Sequence, residues 1–213
     1  MIHVTIFLRL FLFQDKNPAD NDGWTPLHYA TTTGRLEVCQ YICDNVQDRA
    51  PRNKHGKTPL HSAACSGRLD VFKLMFELMD NNDKNPNSNN GCTPLHAAAQ
   101  NGHLDIFKFI YENIAEKNPQ NVNGWLPLHY AAYNGHTAIC EFIHESGSSL
   151  NPKTNRGWTP LHFAVCNGHF QVCKLIVKVI DGKTLTNTKG LTQAEMAAKG
   201  YEKVQQLMEN NNP

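Results

Sequence analysis

Apolar residues along the chain gather into short helical stripes separated by glycines. Leu36, Cys39 and Ile42, and again Leu104, Phe107 and Ile110, recur at the spacing that lines one face of a helix. Ahead of each stripe stands a different kind of segment. Gly157-Trp158-Thr159-Pro160-Leu161-His162 recurs, with small changes, at Gly23 to His28, Gly56 to His61, Gly91 to His96 and Gly124 to His129. The residue types predict a tight turn running into a helix. Glycine supplies the backbone freedom of the turn. Thr159 is suited to cap a helix N-terminus, and Pro160 fits the first helical position, where its missing N–H is not needed. Leu161 and the small residues after it then point into a core. Ten or eleven residues beyond the first glycine comes a second one, as in Gly102-His103 and Gly168-His169, which stops this helix before the next begins.

Each unit is therefore a turn and two short helices, too small to bury its own apolar face, and only stacking closes the core. The first glycines are 33, 35, 33 and 33 residues apart, and a worn sixth copy begins 33 further on, at Gly190-Leu191-Thr192. A period in this range predicts a solenoid. Thr-Pro-Leu-His, then alanine, then Gly-His or Gly-Arg at this step resembles the ankyrin repeat, over roughly residues 17 to 208. Lys-Asn-Pro at residues 16–18, 84–86 and 117–119 marks unit junctions, as in long ankyrin arrays.

The resemblance implies an all-α ankyrin-repeat solenoid of stacked helix-turn-helix units with β-turn or hairpin loops. The repeats are expected near 17–49, 50–84, 85–117, 118–150, 151–183 and 184–210, the last a degenerate C-terminal cap. An apolar segment, 1–16, precedes them. It reads as the second helix of a truncated repeat, although the alternation of Ile2, Val4, Ile6 and Leu8 suits a strand equally. It lacks the basic start and cleavage site of a signal peptide, and is shorter than the roughly 20 apolar residues of a membrane span.

Twenty Lys and Arg against 19 Asp and Glu leave almost no net charge and no basic run, so nucleic-acid binding is not expected. Cys39, Cys140 and Cys173 share one repeated slot with Phe72 and Phe107, which makes it a core slot. An odd count of seven cysteines without a close-set framework argues for a reducing compartment, cytoplasm by default or nucleus. His28, His61, His96, His129 and His162 also occupy one slot, and a side chain demanded once per unit serves the scaffold. His103, His136 and His169 share a second slot with Arg35 and Arg68. No nucleotide-binding, metalloprotease, thiol-redox or serine-hydrolase motif occurs, so neither enzymatic activity nor a cofactor or metal is expected.

In ankyrin repeats the residues flanking the turn glycine and those ending the first helix face a concave groove. That resemblance assigns partner contacts to Trp24, Lys57, Trp125 and Trp158 after the turn glycines, to Arg156 in the turn, and to Tyr133, Asn134 and Asn167 at first-helix ends. Trp125, Tyr133, Arg156 and Trp158 lie on adjacent units and are expected to form one patch. The competing reading is that a turn tryptophan only packs on its neighbour and stiffens the array. Leu126, in place of the capping threonine, is expected to weaken its helix start by about 1 kcal/mol.

The chain is thus expected to be a monomeric, non-catalytic protein-protein interaction module, an adaptor or scaffold. No nucleic acid, small-molecule substrate or membrane is expected among its partners. The alternative is a fragment or regulatory or targeting portion of a larger ankyrin-containing protein, such as an enzyme regulatory subunit or a channel.

Overall fold

The structure is a computed structural model that describes residues 17–79 and 84–179. The expectations for segment 1–16 and for the sixth copy lie outside the described residues.

Among the described residues the five full units fold as ten α-helices and no strand. The first helix of each unit begins at the proline of the repeated phrase: α1 Pro26–Thr33, α3 Pro59–Ser66, α5 Pro94–Asn101, α7 Pro127–Tyr133 and α9 Pro160–Cys166. The second helices are α2 Leu36–Asn45, α4 Leu69–Leu78, α6 Leu104–Asn113, α8 Thr137–Glu145 and α10 Phe170–Val179. The reversal between the two comes from the second glycine, which adopts the left-handed conformation, with φ of 75° at Gly102.

Among the described residues first helices stack on first helices and second on second, so each unit packs on its neighbours. Leu27, Leu60, Leu95, Leu128 and Leu161 form one buried column. Ala63 and Ala64, Ala98 and Ala99, and Ala131 and Ala132 are wholly buried, and their small size lets the inner helices approach closely. The expected core slot of Cys39, Phe72, Phe107, Cys140 and Cys173 is fully enclosed at all five positions. Burial pushes the Cys39, Cys140 and Cys173 thiols up to about 12, so they pack as small apolar groups.

The repeated histidine accounts for much of the polar bonding between units. His61 Nδ1 accepts from the Thr58 backbone N–H at 3.1 Å, with the Thr58 hydroxyl at 3.0 Å, which is the reciprocal half of a capping box. Because Nδ1 accepts, the ring proton sits on Nε2, and this donates to the Cys92 carbonyl of the next unit at 3.0 Å. His28 reaches Lys57 in the same way, and His96 reaches Trp125. His129 instead meets the Pro152 carbonyl, at 3.2 Å. Leu126 has no hydroxyl to offer, yet its N–H still reaches His129 Nδ1 at 2.9 Å, so the substitution removes one of the two contacts and leaves the other.

A second row of imidazoles ties units in the reverse sense. His103, His136 and His169 donate from Nε2 to the Cys65, Gln100 and Tyr133 carbonyls of the preceding unit. These rings lie where the preceding glycine lacks a side chain: a Cβ on Gly102 would stand 2.5 Å from His136 Nδ1. At the turn tips a third row is made by main chain, with Lys54 N–H bonding Asp22 O, Asn89 N–H bonding His55 O, Val122 N–H bonding Asn90 O and Asn155 N–H bonding Asn123 O.

Burial holds the buried histidines neutral. It lowers His28 and pushes His61, His96, His129 and His162 down to about 4. The unfolded chain takes up protons near 6.5 while the folded array refuses them until about pH 4, so stability is complete above 6.5 and falls as the pH drops. Between pH 7.5 and pH 5 the expected loss is about 2 kcal/mol for each of the four rings pushed to about 4. Urea unfolding across this range should show a stability slope approaching four protons, and His96→Asn should reduce that slope by about one. A separate test concerns the reverse row. Gly102→Ala should cost about 2 kcal/mol, falling to about 1 kcal/mol in a His136→Ala background, where only the positive φ remains unfavourable.

Candidate functional site

The turn residues of units four and five are fixed at the backbone before their side chains do anything. Asn121 Oδ1 accepts from the Asn123 and Trp125 N–H groups, both at 2.9 Å, and Thr154 Oγ1 accepts from Trp158 N–H at 3.1 Å. These Asx and ST turns project both indoles onto the side of the array lined by the first helices. There they meet Phe163, in the first turn of α9. Its ring centroid is 4.2 Å from Trp125 and 5.1 Å from Trp158. Tyr130 stands 5.0 Å and Tyr133 5.9 Å from Trp125, and Tyr133 is 6.1 Å from Phe163. Spacings of this order suit tilted and edge contacts between rings.

The cluster forms the floor of an open groove of about 640 Å³ spanning the third to fifth units. Carboxamides of Gln100, Asn121, Asn123, Asn134 and Asn155 surround the rings, and among the described residues Arg156 is the only charged side chain lining it. Below the floor, Tyr130 OH accepts from Asn121 Nδ2 at 3.0 Å and lies 3.2 Å from Cys92 Sγ. Burial, with the Cys92 thiol beside it, holds the Tyr130 phenol above its ordinary range, so the floor is neutral at any physiological pH.

Of the residues expected to contact a partner, the groove brings together Trp125, Tyr133, Asn134, Arg156 and Trp158. It does not include Trp24, Lys57 or Asn167. Trp24 packs in the first unit against His28 and Tyr29, each at 5.5 Å, while Tyr29 donates to Asp20 Oδ2. Lys57 is exposed in the second unit, and Asn167, which follows α9, is exposed with its amide donating to the Phe163 carbonyl. The tryptophans are half-buried, not freely exposed. Trp125 therefore braces the junction of units four and five through Phe163 and also lends its remaining surface to the groove. Tyr133 is the most open ring of the cluster, at 43% exposure.

Phe163 and Tyr130 were not among the sequence candidates. They occupy the slot directly after the repeated histidine, held elsewhere by Tyr29, Ser62 and Ala97. The signal was the variation of that slot from large to small, which a reading of the residues after Leu161 as uniformly small passes over.

Chemically, the described residues of the groove offer aromatic surface, neutral hydrogen-bonding groups and one cation, with no carboxylate among them. Among the described residues no group of three or more His, Cys, Asp or Glu side chains is placed to hold a metal ion. No described helix is long and apolar enough to cross a membrane.

Comparison with curated proteins found no match. The family model described as ankyrin repeats (three copies) matches residues 3–88, 52–121, 76–154 and 128–213, overlapping windows that take in nearly the whole sequence. Proteins built of such units are in general protein-protein interaction modules, and on this match and this stacking the chain belongs to the ankyrin-repeat family.

Proposed function

We propose that the chain is a non-catalytic adaptor or scaffold that binds a protein partner in the groove of units three to five. The observation that carries this reading is the convergence of Trp125, Tyr130, Tyr133, Trp158 and Phe163 beside Arg156 in one open depression. Aromatic residues and arginine are the side chains that dominate binding hot spots, and a surrounding ring of polar groups excludes water from such a centre. Trp125 against Phe163 stiffens the array, while Tyr133 and Arg156 also line the depression and are exposed to whatever enters it. All seven cysteines are free thiols, two of them exposed, which suits the cytoplasm or nucleus.

The test is site-specific photocrosslinking in extract from the source cells. A benzophenone side chain at Tyr133 should join the chain to a discrete partner, and the same group at Glu141 on the outer helix α8 should not. Tyr133→Ala with Arg156→Ala should then weaken the captured complex by about thirtyfold or more, the scale of one hot-spot residue. Crosslinking only from Glu141, or unchanged affinity in the double variant, would move the binding surface to the other side of the array.

A further inference from the structure

The distribution of charge along the array identifies the chemistry of the occupant, given the groove reading above. In units three to five, residues 85–104, 117–140 and 146–179 contain no Asp or Glu at all. Among the described residues the carboxylates of these units, Asp105, Glu112, Glu116, Glu141 and Glu145, are exposed on the second helices or just after them. The first unit is the opposite case, with Asp20 and Asp22 on its turn. The aromatic cluster therefore sits in an acid-free stretch whose lining, among the described residues, holds a single cation. Aromatic faces can bind an ammonium group, but such a cage needs no arginine and gains from a carboxylate; here both conditions fail. A single-stranded nucleic acid would bring a phosphate with every nucleotide, more anions than Arg156 can meet.

Backbone geometry sets the length. Packed helices lie about 8–10 Å apart, and an extended chain advances about 3.3 Å per residue, so roughly three peptide residues pass each unit. Crossing the turn residues Cys92, Trp125 and Trp158 takes about seven. The carboxamides of Asn123, Asn134 and Gln100 can each donate to and accept from a peptide backbone, which recognises an extended main chain without regard to its side chains.

We propose that the groove takes an extended acidic peptide of about seven residues. It presents one apolar side chain to the Trp125 and Phe163 rings and an Asp or Glu carboxylate to Arg156. The carboxylate lies one to three positions from the apolar residue.

The full chain, screened against an immobilised library of random seven-residue peptides, tests this directly. Bound peptides should be enriched in Asp or Glu within three positions of Leu, Phe, Trp or Pro. Arg156→Glu, at an exposed turn tip, should reverse the enrichment to Lys and Arg, and Arg156→Gln should abolish it without reversal. In solution, a selected peptide should shift the tryptophan emission of the chain, and replacing its carboxylate by the amide should weaken binding about tenfold. Absence of acidic enrichment, an unchanged preference in Arg156→Glu, or displacement of the peptide by an equal concentration of heptathymidylate would overturn the proposal. A Tyr133 crosslink to a folded partner with no peptide bound would remove this inference and leave the groove reading in place; failure of both would remove both.

Discussion

A neutral imidazole that accepts a hydrogen bond within its own unit and donates one to the next is the interaction on which this array depends. An ankyrin unit has two short helices and no independent core, so the apolar burial that stabilises it exists only when units are in register. The histidine sets that register. Its Nδ1 is committed to the start of its own first helix, as in His96 with the Thr93 N–H, and its Nε2 to a carbonyl one unit on, at Trp125. Both bonds fix a single tautomer, and protonation would convert the acceptor to a donor facing a donor. Other side chains lack this two-sided capacity within a rigid ring: a lysine only donates, a carboxylate only accepts.

The groove inherits its geometry from the same bond. The carbonyl that receives His96 belongs to Trp125, so the residue forming the floor of the cluster is pinned through its main chain to the core of the preceding unit. Its side chain is then free to reach across to Phe163 at 4.2 Å. Scaffold and surface use different atoms of one residue, which is why turn positions can vary in side chain from Lys57 to Cys92 to Trp125 without disturbing the stack.

Much of the architecture was legible because repetition supplies its own comparison. Thr-Pro after glycine marks each helix start, the second glycine marks each stop, and a slot that accepts Cys39 or Phe72 equally must be interior. The grouping of Trp125, Trp158, Tyr133 and Arg156 followed from their adjacency in successive units. Phe163 escaped because its importance is a contact across a junction, set by how far apart two units stack, and no periodicity within a unit encodes that distance. Trp24 and Trp125 share a slot but differ in the residue of the next unit at the register position 38 residues on: Ser62 for the first and Phe163 for the second. The direction of the His103, His136 and His169 bonds was equally hidden, since a repeated slot shows that a residue is structural but not which neighbour it serves.

The pairing of a bare glycine with a ring from the following unit also bears on how such a chain can change over generations. Gly67 makes room for His103, Gly102 for His136 and Gly135 for His169, as Gly34 does for Arg68, so each of these junctions is assembled from halves contributed by two units, and the last three use the same halves. A duplication or loss that spans one whole period rejoins a matching pair wherever it is cut. A single substitution at either half has no such freedom. Lengthening, shortening and shuffling the array are therefore the tolerated changes at its seams, while novelty in what it recognises is left to the side chains of turn residues and first-helix ends, which differ from unit to unit.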